Sequence, residues 1–430
     1  MNLSLLGFSA LAVFMALVLS RRLSAVAALI LVPIVFGLIA GFGSGLGDMM
    51  LEGVTEVAPT ALMLIFALLY FAVMIEAGLF EPLVRKILQV TGDDPVRVVV
   101  GSAVLAMLVS LDGDGATSAI VTISAMYPVY RRLGLNPLIL AVLLGLSNTL
   151  MNWLPWGGPA ARAALALRID VMDIVGPLLP ALGLSLLAVL GLAYFMGRFE
   201  RRRLAKVGGP ALTEDEAATI TVEPKATRNL WLNLLLTIGL MVGMLTGIAP
   251  LPAVVMGGFA IAVTLNFPRL SEQKAALAHH GETILMMVSL IFAAGAFTGI
   301  LSGTGMIDAM AQSLVSAIPE PLGPYMGPIT ALLSMPLLMF MSNDAFFFGI
   351  VPVLGATGAA YGVPPEVIAR ASLMGMPLHA LSPFIAPIYL VASLIRADVG
   401  QLQRFGLPWA LLLSVFATLA AMATGAIIIP

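Results

Sequence analysis

The chain has 430 residues, 60% of them hydrophobic and only 10% charged, with a mean hydropathy of +1.05 and a formal net charge of −2. A water-soluble domain carries roughly 25% charged residues, so this much apolar surface requires a bilayer as its solvent. The small net charge excludes a global attraction to nucleic acid, and the lack of cysteine excludes disulfides and thiolate metal sites.

Apolar runs close to the ~20 residues needed to span hydrocarbon come first at 3–20, 24–42 and 57–80. The first lacks a basic n-region and a small-residue cleavage site, so it reads as a retained helix and not as a signal peptide. Two interrupted stretches follow. The runs 96–110 and 116–130 flank a polar tip, and 135–151 and 160–168 flank a Pro- and Gly-rich break. After a span at 172–197, residues 198–228 have the composition of a solvated cytoplasmic linker. The second half repeats the theme. Spans at 229–248, 252–268 and 283–302 precede a tip between 327–341 and 345–357, a break between 366–379 and 388–395, and a last span at 406–429.

The two halves match at their interruptions. Ser110-Leu-Asp112-Gly-Asp114-Gly-Ala-Thr117 corresponds to Met341-Ser-Asn-Asp344-Ala-Phe346, Leu133-Gly-Leu-Asn-Pro137 to Tyr361-Gly-Val-Pro-Pro365, and Leu154-Pro155 to Ser382-Pro383. With the N-terminus outside and both tips closing re-entrant hairpins, all of the 21 Lys/Arg except Arg162, Arg168 and Arg370 fall on one side, which the positive-inside rule makes cytoplasmic. Spanning hairpins would destroy that bias. The expected fold is an all-α polytopic membrane protein of the plasma (inner) membrane, with both termini extracytoplasmic and two repeats of inverted topology. Its expected parts are scaffold helices over 1–56, repeat 1 over 57–197 (hairpin 96–130, broken helix 135–168), the linker 198–228, scaffold helices over 229–282, and repeat 2 over 283–430 (hairpin 327–357, broken helix 366–395). Inverted repeats with discontinuous helices are a transporter architecture.

The interruptions carry the candidate chemistry. Asp112 and Asp114 between apolar half-helices cost several kcal/mol unless compensated, and they predict a cation: a proton, Na⁺, or a divalent metal such as Mg²⁺ or Ca²⁺. Gly113 and Gly115 allow a sharp turn and a close approach to a ligand. Ser110, Thr117 and the following helix N-terminus offer groups for an anion. Asp344 repeats the aspartate at the second tip, with Ser342 and Asn343 as neutral ligands; Phe346, Phe347 and Phe348 read as packing. At the first break, Asn152, Trp156, Gly157 and Gly158 accompany an unwound backbone whose freed groups a ligand can satisfy. Arg162 follows within a turn, either as the partner of a carboxylate or as an arginine reaching for the outer interface. His379 and Ser382 mark the second break. The histidine is either a structural hydrogen-bonder or a group that titrates with coupled protons. His279 and His280 lie with Glu282 before a span and read as interfacial; Glu76 receives no role.

Those motifs resemble the citrate–metal:proton symporter family of the ion transporter superfamily. The likeness rests on Asp112-Gly-Asp-Gly-Ala-Thr117, Asn152-Trp-Leu-Pro-Trp-Gly-Gly-Pro-Ala-Ala-Arg162, Ser342-Asn-Asp-Ala-Phe-Phe-Phe-Gly349, Leu381-Ser-Pro-Phe-Ile-Ala-Pro-Ile-Tyr-Leu390 and the tail Gln401-Leu-Gln-Arg-Phe405 with Trp409-Ala410. It covers nearly the whole chain. The resemblance implies proton-driven uptake of citrate complexed with a divalent metal, no enzymatic step, no permanently bound cofactor, and a homodimer in which a moving part carries the hairpins. Asp112, Asp114 and Asp344 would face metal or proton, and Arg162 the carboxylate. Ala116, Phe346, Phe347 and Met376 depart from the family pattern, which has polar residues there. Two other readings stand beside it. A Na⁺-coupled di- or tricarboxylate symporter of the same superfamily favours Ser-Asn-Thr tips over aspartates. An intramembrane aspartyl protease would share a proton between two aspartates, but it needs Gly-x-Gly-Asp, and Leu111 stands where the first glycine belongs.

Overall fold

The computed structural model describes residues 2–20, 22–113, 115–207 and 229–428, and every regular element among them is helical. Five of these helices are long and apolar enough to cross a membrane, and seven further apolar helices are shorter.

Helix α1 (Leu3–Leu19) starts on the side chain of Asn2, which accepts from the Ser4 and Leu5 N–H groups, and α2 (Ala25–Ile39) starts on Ser24. Helix α3 (Leu46–Glu76) is 31 residues long and begins well before the apolar run at 57. Asp48, Glu52 and Glu56 interrupt its hydropathy, but at a spacing of four they share one exposed face, while Gly53 and Val57 on the opposite face are buried. The amphipathic α4 (Glu81–Thr91) leads into hairpin 1, formed by α5 (Pro95–Val109) and α6 (Gly115–Leu133) packed together. The first broken helix is α7 (Pro137–Met151) and α8 (Gly158–Leu167).

Helix α9 (Val171–Val207) carries the chain onward. The expected linker therefore begins as helix: residues 198–207 continue α9, and 208–228 lie outside the described residues. The correction has a physical cause in Glu200. Only 2% exposed, it accepts the Asn136 N–H at 3.0 Å, capping the start of α7, and is held by Arg203 at 2.6 Å. A charge buried with a cation and a backbone donor anchors helix, whereas composition alone reads such a run as solvated. Nearby, Asp94 caps α5 and pairs with Arg201 of α9. Burial pushes the Asp94 carboxyl up, but the Arg201 and Val96 hydrogen bonds and the charges of Arg201 and Arg97 outweigh it and hold it below the usual aspartate range.

In the second half, α10 (Leu230–Thr246), α11 (Leu251–Asn266) and the short α12 (Leu270–His279) precede α13 (Gly281–Gly303) and α14 (Met306–Ala317). Helix α13 lies along α3. Their contact is a glycine seam: Gly295, Gly299 and Gly303, four residues apart, face Gly53 and Met49 so closely that a Cβ on Gly299 would strike the Met49 carbonyl and come within 3.0 Å of the Gly53 Cα. Small residues at this spacing let backbones meet where lipid supplies no hydrophobic drive. Hairpin 2 is α15 (Met326–Phe340) and α16 (Val351–Ala360), the latter entered through a π-helical turn at Ala345–Ile350. The second broken helix is α17 (Pro365–Ser372), a 3-10 turn, α18 (Met376–His379) and α19 (Ala386–Leu394); α20 (Val399–Ala423) closes the fold.

Candidate functional site

Hairpin 1 turns at its tip because α5 tightens into a 3-10 turn at Ser110–Asp112 and Gly113 then adopts φ +76°. That left-handed backbone suits glycine, and the Trp156 carbonyl lies 3.6 Å from where a Cβ would stand. The Trp156 indole N–H donates to the Leu111 carbonyl at 2.7 Å, fastening the tip to the first break. Gly115 opens α6 against Asn148 and Pro387.

At the first break, the Asn152 amide turns back onto the Asn148 carbonyl at 3.0 Å and its side-chain oxygen at 3.1 Å. Gly157 caps α8 where any Cβ would strike the Asn152 carbonyl, and a Cβ on Gly158 would stand 2.8 Å from an Arg162 guanidinium nitrogen. A side chain at Gly158 would therefore have to push the Arg162 guanidinium from its place. Arg162 Nε donates to Asp344 Oδ1 at 2.7 Å, with the two side chains 24% and 18% exposed. This pair joins the first break to the second hairpin tip.

The second tip opens at Met341, extended at φ −130° and ψ 159°. Ser342 Oγ accepts the Ala345 N–H at 3.3 Å, which restarts helix. The π turn that follows buries Phe346, Phe347 and Phe348 completely or nearly so. At the second break, Gly375 abuts the Ser334 carbonyl and His379 Nδ1 donates to the Leu338 carbonyl at 2.7 Å. A carbonyl only accepts, so Nδ1 carries a proton, and in the neutral form of the ring Nε2 is an acceptor.

Tips and breaks converge on one cavity of about 270 Å³. Among its walls are Gly113 and Gly115 from hairpin 1, Asn148, Thr149 and Asn152 from α7, Gly158 and Arg162 from α8, Asn343 from the second tip, and Met376 and His379 from the second break. Leu381, Ile385, Pro387, Ile388 and Val391 give it an apolar side. Three buried polar atoms of lining residues, Asn148 Nδ2, Asn343 Oδ1 and His379 Nε2, have no hydrogen-bond partner among the described residues. Buried polar groups are normally paired, so the walls hold donors and acceptors suited to a polar ligand.

Of the expected site residues, Gly113, Gly115, Asn152, Gly158, Arg162, Asn343 and His379 line this cavity, and Asp344 joins it through Arg162. Six others do not line it. Ser110 is fully buried behind the tip, Trp156 fastens the tip, Gly157 permits the break, Ser342 caps, and Ser382 accepts the Phe384 N–H at 3.3 Å. Thr117 is half-buried in the first turn of α6, away from the lining. Asp114 and the side chain of Asp112 lie outside the described residues. Asn148 was missed as a site residue, though its signal was present: it stands four residues before Asn152, on the same helix face.

A model of citrate transporters, CitMHS, matches residues 5–375. The chain belongs to the CitMHS citrate transporter family. Its relatives in Bacillus subtilis (strain 168) include a citrate transporter, 47% identical over 425 residues and covering 99% of both chains. Another is a Mg(2+)/citrate complex secondary transporter, 46% identical over 428 residues and also covering 99% of both. Among solved structures, the fold is similar to the YdaH transporter of Alcanivorax borkumensis, with a TM-score of 0.61 at 16% identity over 88% of this chain and 87% of that one. It is also similar to Neisseria gonorrhoeae MtrF, with a TM-score of 0.60 at 17% identity over 89% and 84%. This CitMHS member is therefore an all-helical, multi-pass membrane transporter of that family.

Proposed function

We propose that the protein is a secondary active symporter for citrate complexed with a divalent metal, Mg²⁺ or Ca²⁺, or for a related carboxylate, driven by protons. The observation that carries this reading is the Arg162–Asp344 pair beside a cavity with unpartnered polar atoms. Two unit charges about 4 Å apart attract by about 4 kcal/mol at an effective dielectric constant near 20. A free carboxylate that drew Arg162 away would leave Asp344 uncompensated, and a free cation would do the reverse to Arg162. A metal–citrate complex presents both charges and satisfies both residues at once. Asp112 and Asp114 add cation or proton ligands at the other tip. The name of the Mg(2+)/citrate relative supports the same substrate class.

The wider reading follows from it. The two halves act as inverted repeats whose hairpins and broken helices move as an elevator against the remaining helices, in a homodimer of the plasma membrane with both termini outside. Transport needs no hydrolytic step, so the aspartates serve cargo and coupling, not proteolysis. Thermal unfolding of the purified protein tests the substrate class. Citrate with Mg²⁺ is expected to raise the unfolding temperature well beyond either alone. Equal stabilisation by citrate with the metal chelated would refute the complex as substrate.

A further inference from the structure

Far along α3 from the glycine seam, its last residue, Glu76, meets the joint between α12 and α13. His279 ends α12, and His280, at φ −98° and ψ 3°, separates it from Gly281, the first residue of α13. His280 Nε2 lies 3.2 Å from Glu76 Oε1, with side chains 26% and 27% exposed. The His279 and His280 rings stand edge-on with centroids 4.9 Å apart. One ligand atom from each of Glu76, His279 and His280 lies within 4.8 Å of the other two. A separate cavity of about 520 Å³, lined by Glu76, His279, Glu272 and Asn266, opens beside them.

We infer that Glu76, His279 and His280 form a second cation site, for a borderline transition-metal ion such as Zn²⁺, Ni²⁺ or Co²⁺, that is separate from the transport cavity and not part of the cargo path. Tetrahedral bonds of about 2.0–2.2 Å to nitrogen and carboxylate oxygen place ligand atoms about 3.3–3.6 Å apart. The three atoms lie within 4.8 Å of one another, so side-chain rotations that bring them about 1 Å closer assemble the site. Two imidazoles and one carboxylate match borderline ions, whereas Mg²⁺ and Ca²⁺ select oxygen. The Glu272 side of the cavity leaves room for a fourth ligand, from that carboxylate or from water. The ligands come from elements that a bound ion would tie together. Glu76 ends the helix that leads through Gly78 and α4 into hairpin 1, and the histidines form the joint that leads into the helix packed along α3. An ion here braces the α3–α13 pair at the end where hairpin 1 is attached. A bare histidine–carboxylate hydrogen bond explains the Glu76–His280 contact but leaves the placement of His279 beside it without a purpose.

The test uses the full chain, purified, stripped with chelator and free of citrate, with Zn²⁺ as the probe in thermal-unfolding titrations. Wild type and Asp344→Asn are expected to be stabilised alike. Losing an outer-shell partner already costs about 10–100-fold in metal affinity, so His279→Gln with His280→Gln is expected to weaken the apparent zinc affinity by at least that much. A zinc response unchanged in the double variant, or abolished by Asp344→Asn, would overturn the assignment. Should the double variant fail to fold, Co²⁺ added to the wild type decides. A tetrahedral visible absorption band supports the site, and an octahedral spectrum like that of the free ion contradicts it.

Discussion

The Arg162–Asp344 contact sets the chemistry expected of single residues. Asp344→Asn removes the acceptor charge and leaves the guanidinium without its partner; Arg162→Lys keeps a charge but loses the planar fork suited to a carboxylate. Asp344→Asn is expected to lower uptake to background, and Arg162→Lys to lower it at least about tenfold, each with an elution profile like that of wild type. Wild-type uptake by Asp344→Asn would remove that residue from the site. Arg162 was legible in the sequence as a cation just past a helix break, but its partner was not. Asp344 is 182 residues away, and nothing local in either motif says that the first break meets the second tip. The interfacial alternative for Arg162 was equally compatible with its position in the chain. Ser342 and Ser382 read as ligands by position; in the fold each hydroxyl accepts a nearby backbone N–H, that of Ala345 where helix restarts and that of Phe384 in the turn before α19.

At the scale of elements, glycine decides how closely helices meet. Gly299→Leu forces a branched side chain into the Met49–Gly53 backbone, and overpacking of this kind costs about 1–3 kcal/mol or more. Its unfolding temperature in detergent is expected to fall clearly, whereas Gly183→Ala, at a position open to a Cβ, leaves it nearly unchanged. Equal behaviour of the two would mean that the seam contributes nothing. The tie between hairpin 1 and α9 carries a pH signature. The Asp94 carboxyl is held below its usual range, so its stabilising contribution is full above the unfolded-state value, near 4, and is lost as pH falls through the lower folded value. Asn is also a good helix cap, so Asp94→Asn isolates the charge. The difference in unfolding temperature between wild type and Asp94→Asn is expected to be steady from about pH 7 to pH 5 and to shrink below about pH 4. A difference that grows toward acid would contradict this. Most spans and interruptions were legible to within a few residues, because hydropathy and Pro/Gly breaks are local signals; the last span, read at 406–429, is a helix over Val399–Ala423. The start of α3 and the end of α9 were not, since charges on an exposed helix face and a buried Glu200 look the same in composition as a loop.

For the whole molecule, the bilayer explains why so apolar a chain can hold its charges in few places. Arg162 and Asp344 meet where helices break, and the breaks from both halves converge on one cavity. Membership of the citrate transporter family was legible because four motifs recur in order along the chain, two in each half. How the halves sit in the membrane and which ion drives them rest on the charge asymmetry and the paired site. The departures at Phe346 and Phe347 turn out to be buried packing, while Met376 lines the cavity, so substrate preference is expected to respond to Met376 and not to the phenylalanines. The most direct test of metal–citrate symport is accumulation of labelled citrate by proteoliposomes containing the protein. Uptake is expected only with a divalent metal present and an inward proton gradient imposed, and it should collapse on chelation or dissipation of the gradient. Undiminished uptake after chelation, or uptake driven by a Na⁺ gradient alone, would contradict the account.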